Sequence, residues 1–170
     1  MTEKLQNSAE TIHFLEQVSI FSEIANDPQA IKSISTMMTR QHFAKNEIII
    51  EQGTSGNECY VLIEGQVAVH KKTPDGDSYK VVVLSAKDHA SFGEGGLMDG
   101  EVRSASIIAE SSVDCLVLNK KDFAEYCKSS PQYALPIVKK IALSLMARLN
   151  QTSFDMMLLH KALMTEIRST

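Results

Sequence analysis

This 170-residue sequence has little of what several large classes of protein require. Basic residues are not in excess, with 17 Lys and Arg against 21 Asp and Glu and a formal net charge of −4. No run of about 18 apolar residues occurs, and residues 1–10 are polar, so the sequence predicts neither a membrane span nor a secretory signal. We expect a cytoplasmic protein with no membrane partner.

The scarcity of clustered charge and of metal-binding residues excludes further functions. Lysine pairs are isolated, and no basic patch of the kind that nucleic-acid binders carry is present. The three cysteines are odd in number and lack a CxxC pair, which favours buried thiols over disulfides or ligands. The five histidines form no HExxH motif, and no serine lies in a GxSxG elbow. We therefore expect no nucleic-acid partner, no metal, no cofactor and no enzymatic activity.

The apolar pattern divides the chain into three zones. Residues 1–41 show helical spacing, and residues 42–118 contain many short β-rich runs separated by glycine turns, which is typical of a β-sandwich or barrel. Residues 119–170 are helical again. There, Ser130 and Pro131 provide an N-cap and a first-turn proline for a long, uninterrupted helix. The predicted fold class is α+β, mainly β.

One segment of the β zone carries candidate chemistry. Gly93, Glu94, Gly95 and Gly96 precede a possible helical turn, and Arg103 follows nine residues after Glu94. Closely set glycines let backbone amides surround an anion, while a guanidinium suits phosphate because it donates two parallel hydrogen bonds. On these residues alone, a glycine-rich surface loop beside a Glu94–Arg103 salt bridge remains an alternative.

The order of these residues resembles a known family. Phe-Gly-Glu-Gly-Gly-Leu from Phe92, then five residues, then Arg-Ser-Ala-Ser-Ile from Arg103, is similar to the phosphate-binding cassette of cyclic nucleotide-binding domains. The resemblance extends from about Phe14 to Leu159. It implies an eight-stranded β jelly roll flanked by N-terminal helices and a long C-terminal helix, with the cassette at residues 92–107.

The resemblance also implies roles for individual residues. Glu94, beside Gly93, would accept a hydrogen bond from the ribose 2′-hydroxyl, and Arg103 would neutralise the cyclic phosphate. The remaining implied contacts are the amides of Gly95, Gly96 and Ser104 around the anion, and the strand residues Val69, Val81 and Val83 against the purine. The loop of residues 85–91 departs from the family by being about two residues longer, and Asp88 and His89 have no counterpart there.

The C-terminal helix carries a 4-3 apolar spacing over about four heptads, which is typical of a two-stranded coiled coil. We expect a homodimer through this helix; a single amphipathic helix packed on its own β domain is the alternative. The positions concerned are Leu135, Val138, Ala142, Leu145, Leu149, Thr152, Met156, Leu159 and Leu163. The stretch around Thr152 and Ser153 resembles the dimer helix of bacterial family members, which implies that one of the two contacts the adenine amino group.

The sequence therefore predicts a receptor domain for cyclic AMP that signals to an unidentified protein effector by moving its C-terminal helix. A cyclic GMP-binding module and a ligand-free interaction domain of the same fold are the alternatives. A haem or iron–sulfur sensor is disfavoured because clustered N-terminal cysteines are lacking. No helix-turn-helix segment follows the long helix, so the chain is expected to be a stand-alone receptor or one domain of a larger protein.

Overall fold

The computed structural model describes residues 8–73, 75–98 and 102–169. Residues 99–101 of the predicted cassette lie outside the described residues. Helices α1 (Ala9–Glu16) and α2 (Pro28–Ser35) precede the strands, and helices α3 (Lys120–Ser129) and α4 (Pro131–Ser169) follow them. The strands are β1 (Thr39–Phe43), β2 (Ile48–Ile50), β3 (Glu58–Glu64), β4 (Gln66–Lys72), β5 (Ser78–Ser85), β6 (Ser91–Phe92), β7 (Ser106–Ala109) and β8 (Val113–Asn119).

The strands form two four-stranded antiparallel sheets, in the orders β1-β8-β3-β6 and β2-β7-β4-β5. Buried side chains from both sheets, including Leu62, Val67, Phe92 and Cys115, form the core of this β-roll. The predicted jelly roll with flanking helices is therefore confirmed. Strand β1 begins at Thr39, before the expected zone boundary at residue 41. Its first four residues are polar and exposed, so they carry no alternating apolar signal.

The N-terminal helices have the local signals that start helices. The Ser8 side chain accepts a hydrogen bond from the Thr11 amide at 3.1 Å, and Asp27 caps α2 in the same way, with Pro28 at its first position. Their apolar faces form a second core cluster together with the first turns of α4. This cluster fixes where α4 leaves the β-roll.

Helix α4 is 39 residues long and contains Pro136. The expectation of an uninterrupted helix overlooked this proline, which lacks the N–H needed for the bond to the carbonyl of Gln132. The helix tolerates the loss in its second turn, where Gln132 is exposed. Ala134, Ile137 and Ile141 are buried in the second core, whereas every described side chain from residue 146 to residue 168 is classed as exposed. None of the described helices, α4 included, is long and apolar enough to span a bilayer.

The burial of Ile137 predicts that the attachment of α4 depends on it. Ile137→Ala should lower the free energy of unfolding by roughly 2–5 kcal/mol, because it leaves a cavity in a packed core. Leu135→Ala is the matched control, since Leu135 is 70% exposed on the same helix. Urea denaturation of both variants checks this; equal losses would contradict the packing described.

Candidate functional site

A cavity of about 600 Å³ lies between the β-roll and α4. Strands β4 and β5 provide an apolar wall, the segment Ser91–Gly95 and Arg103–Ala105 provide a polar wall, and Leu145 to Asp155 of α4 contribute the side opposite them. Eight of the predicted site residues line this cavity. They are Gly93, Glu94, Gly95, Arg103, Ser104, Val69, Val81 and Thr152.

Arg103 is held rigidly in the cavity wall. Its side chain is 7% exposed; Nη1 donates to the Gly93 carbonyl at 2.9 Å and Nη2 to the Glu58 carbonyl at 2.8 Å. The Glu58 carboxylate lies 3.5 Å from Nη2. This arrangement places a positively charged guanidinium at the cavity wall.

Glycines make room for that guanidinium. A Cβ at Gly96 would lie 2.6 Å from the Glu58 carbonyl oxygen and 2.7 Å from Arg103 Nη1, and a Cβ at Gly56 would overlap the guanidinium. Gly93 has a φ of +74°, a left-handed conformation that favours glycine. Gly56, Gly93 and Gly96 thus leave the space in which the Arg103 guanidinium sits.

The predicted amide contact of Gly96 is wrong. The Gly96 amide donates to the Gly93 carbonyl at 2.9 Å within the 3₁₀ turn Glu94–Leu97, and Gly96 does not line the cavity. The turn consumes this donor because its i to i+3 hydrogen bond closes the chain on itself. The glycine is required for close packing, not for donation to an anion.

Glu94 is a buried carboxylate at the polar wall. The residue is 4% exposed, its Oε1 accepts from the Ser91 hydroxyl at 3.0 Å, and Arg148 Nη2 lies 3.3 and 3.4 Å from its two oxygens. Arg148 belongs to α4, so an ion pair crosses the cavity. The structure therefore does not show the Glu94–Arg103 salt bridge that the sequence left open: Glu94 pairs with Arg148, and Arg103 with Glu58.

Cys59 is buried near the charged groups of Glu94, Arg103 and Arg148. Burial raises the pKa of its thiol well above the usual value, and the nearby Glu94 carboxylate adds to the rise while Arg103 and Arg148 oppose it. Burial likewise raises the pKa of Cys115 to about 12. Both thiols are thus protonated near neutral pH. Both are free and buried, which confirms the prediction of buried thiols at these two positions.

The residues of β5 that form the apolar wall are only partly those predicted. Val82 and Leu84 line the cavity, and Val83 does not, because successive side chains of a strand point to opposite faces. Val81 lines it as well because it falls at a register shift between β4 and β5. Sequence reasoning had no signal for this bulge.

On α4 the structure brings Thr152 to the cavity and leaves Ser153 out of it. Each residue along a helix turns the side chain by about 100°, and Ser153 lies one such step beyond Thr152, on the side away from Gln151 and outside the face that borders the cavity. Arg148, Gln151 and Asp155 line the cavity and were not predicted. Helical spacing of three and four residues from Thr152 would have found Arg148 and Asp155, but not its neighbour Gln151.

The long loop between β5 and β6 contacts the N-terminal helix α1 instead of the cavity. The His89 ring lies 4.7 Å from the Phe14 ring, with His89 in a left-handed conformation at φ 50°. His89 and Asp88 are both absent from the cavity lining. The loop thus packs the β-roll against helix α1.

The sequence and the fold were compared with those of known proteins. The family model for the cyclic nucleotide-binding domain matches residues 40–130. A cGMP-dependent protein kinase of Drosophila melanogaster is 32% identical over 121 residues, which are 70% of this chain and 13% of that protein. The cAMP-dependent protein kinase regulatory subunit of Dictyostelium discoideum is 32% identical over 117 residues, 67% of this chain and 35% of that protein. The chain thus spans only a minor part of these relatives.

Solved structures share the fold at lower identity. The catabolite activator protein of Thermus thermophilus aligns with a TM-score of 0.72 and 23% identity, covering 83% of this chain and 62% of that one. A cyclic nucleotide-binding domain from Methylobacillus flagellatus aligns with a TM-score of 0.71 and 21% identity, covering 86% and 84%.

Proposed function

The chain belongs to the cyclic nucleotide-binding domain family, and we propose that it binds cyclic AMP between the β-roll and α4 and signals through that helix. Domains of this family are regulatory and generally non-catalytic, although the relatives that this chain matches include kinases. The observation that carries the proposal is the buried guanidinium of Arg103 in the cavity wall.

Arg103 would bind the cyclic phosphate, which carries a single negative charge. Carbonyl groups already fix two of its nitrogens, so the side chain loses little freedom when an anion arrives. Hydrogen bonds between ionised partners contribute about 1.5–3 kcal/mol each. Glu94, on the same wall, would accept a hydrogen bond from the ribose 2′-hydroxyl, which a deoxyribose ligand lacks.

The polarity of Thr152 supports adenine as the base. Its Oγ1 donates to the Arg148 carbonyl at 2.9 Å, so toward the cavity the hydroxyl oxygen is an acceptor. The 6-amino group of adenine is a donor and matches it, whereas O6 of guanine is an acceptor and does not. This supports cyclic AMP over cyclic GMP.

Cyclic GMP remains the second candidate because Ser104 also lines the cavity. A hydroxyl beside Arg103 gives the 2-amino group of guanine an acceptor, and several relatives are cGMP-dependent kinases by name. Competition between the two nucleotides separates these candidates.

Signalling would follow from the ion pair between Glu94 and Arg148. A ribose hydroxyl that approaches Glu94 competes with Arg148 or shares the carboxylate with it, so ligand binding changes how α4 is held. A ligand shifts the equilibrium between two positions of α4 only through contacts that differ between them. The contact of Glu94 with Arg148 or with the ribose would be such a contact. An effector protein would then recognise the altered surface of α4.

Calorimetry should show that the folded protein binds cyclic AMP. Arg103→Ala should weaken binding by about 100-fold or more, because the phosphate loses charge-assisted hydrogen bonds inside the cavity. Arg40→Ala is the control, since Arg40 lies on β1, is paired with Asp114 of β8 and does not line the cavity. A folded parent that binds neither cyclic AMP nor cyclic GMP would favour the ligand-free interaction domain instead.

We further propose that α4 forms a homodimer seam. Leu149, Met156, Leu159 and Leu163 are 56–71% exposed at the heptad positions, and an apolar stripe of this spacing is what a second α4 would cover. The covering helix would come from another copy, because only the part of α4 before Met146 has buried side chains in its own domain.

Sedimentation equilibrium should find a dimer that Leu159→Glu converts to monomer, because the variant would bury an unpaired charge in the seam. Leu159 does not line the cavity, so nucleotide binding is not directly disturbed. Met157→Glu, at an exposed position outside the heptad stripe, is the control and should remain dimeric. A monomeric parent would show that α4 has another role.

A further inference from the structure

Building on the proposed function, we propose that Gln151 selects the base: its amide oxygen accepts a hydrogen bond from the adenine 6-amino group, and Asp155 fixes the amide. Neither residue belongs to the cassette that would hold the phosphate and ribose. Both line the same cavity as Arg103 and Glu94.

The position of these residues along α4 points to the base. Arg148 reaches Glu94, which marks the ribose end of the cavity. Gln151 and Thr152 follow three and four residues later, about 4.5–6 Å further along the helix axis. They therefore lie about one turn past the ribose contact, on the helix face that borders the cavity.

The contact with Asp155 determines the orientation of the Gln151 amide. Gln151 Nε2 donates to Asp155 Oδ1 at 2.9 Å. An ionised carboxylate only accepts hydrogen bonds, so the NH₂ end of the amide must face Asp155. The opposite end, Oε1, is then an acceptor turned away from Asp155. Without this partner, the amide could rotate and present either end.

Thr152 next to it presents the same polarity. Its hydroxyl hydrogen is directed to the Arg148 carbonyl, which leaves Oγ1 as an acceptor. Two acceptors from adjacent residues match the two hydrogens of one amino group. The carbonyl at the same position of guanine has no hydrogen to donate and would be repelled by both oxygens. Gln151 is thus a specificity residue, and Asp155 is the positioning residue that maintains its orientation.

The test combines changes in the protein with a change in the ligand. We would measure binding of cyclic AMP, cyclic GMP and cyclic purine riboside monophosphate, which lacks the 6-amino group. Gln151→Leu should weaken cyclic AMP binding about five- to tenfold, the usual range for one hydrogen bond, and leave the amino-free analogue unchanged. Asp155→Ala should lower the preference for cyclic AMP over cyclic GMP about threefold. Gln132→Leu makes the same change at an exposed position of α4 near its start and should alter none of these values.

Each other outcome overturns the inference in a recognisable way. Equal losses for cyclic AMP and the amino-free analogue in Gln151→Leu would show that Gln151 does not contact the amino group. A parent that prefers cyclic GMP and loses the preference only in Asp155→Ala would show that the carboxylate itself binds guanine. A folded parent that binds none of the three ligands would overturn the proposed function, and the inference with it.

Discussion

The buried carboxylate of Glu94 needs a positive partner, and the structure supplies one from a helix 54 residues further along the chain. An unpaired charge in a protein interior is costly, so the electrostatics of the cavity depend on this ion pair, which joins α4 to the β-roll beyond the buried first turns of the helix. Arg148, however, is 59% exposed, and ion pairs open to water contribute only about 0–1 kcal/mol. The pair alone therefore does not hold α4 in place, and a ligand that competes for Glu94 would replace it at little cost.

The two arginines of the cavity differ in a way that suits a receptor. Arg103 is packed among glycines and bound to two carbonyls, so its guanidinium is fixed in position. Arg148 stands on a helix whose first turns are buried and whose remaining turns are exposed. In the function we propose, binding energy gained at Arg103 would be transmitted through Glu94 to the helix that carries Arg148.

Much of this arrangement was accessible from the sequence. The order of the glycines, Glu94 and Arg103 predicted the family and two central site residues, because that order encodes a turn with a guanidinium seated in it. Val83 was misplaced because a register shift between β4 and β5 changes which side chains of β5 face the cavity. Ser153 was misplaced because the face that α4 turns to the cavity depends on how the helix packs on the β-roll. The role of Gly96 was misjudged because a glycine that permits close packing and one that offers its amide look identical in sequence.

Arg148 shows most clearly what could not be predicted from the sequence. Its charge was visible in the sequence, but its pairing with Glu94 requires knowing that α4 crosses the cavity. Long-range ion pairs of this kind follow from the fold and leave no local pattern. Helix periodicity from Thr152 would have brought Arg148 to the right face, without identifying its partner.

We propose that nucleotide binding and the position of α4 are coupled through Glu94 and Arg148. Hydrogen–deuterium exchange without nucleotide and at saturating cyclic AMP, in the parent and in Arg148→Met, tests this coupling. Exchange over residues 146–155 should be slower when nucleotide binds the parent, and faster in ligand-free Arg148→Met than in the ligand-free parent. Unchanged exchange over residues 146–155, together with clear protection of residues 92–98 by the nucleotide, would contradict it.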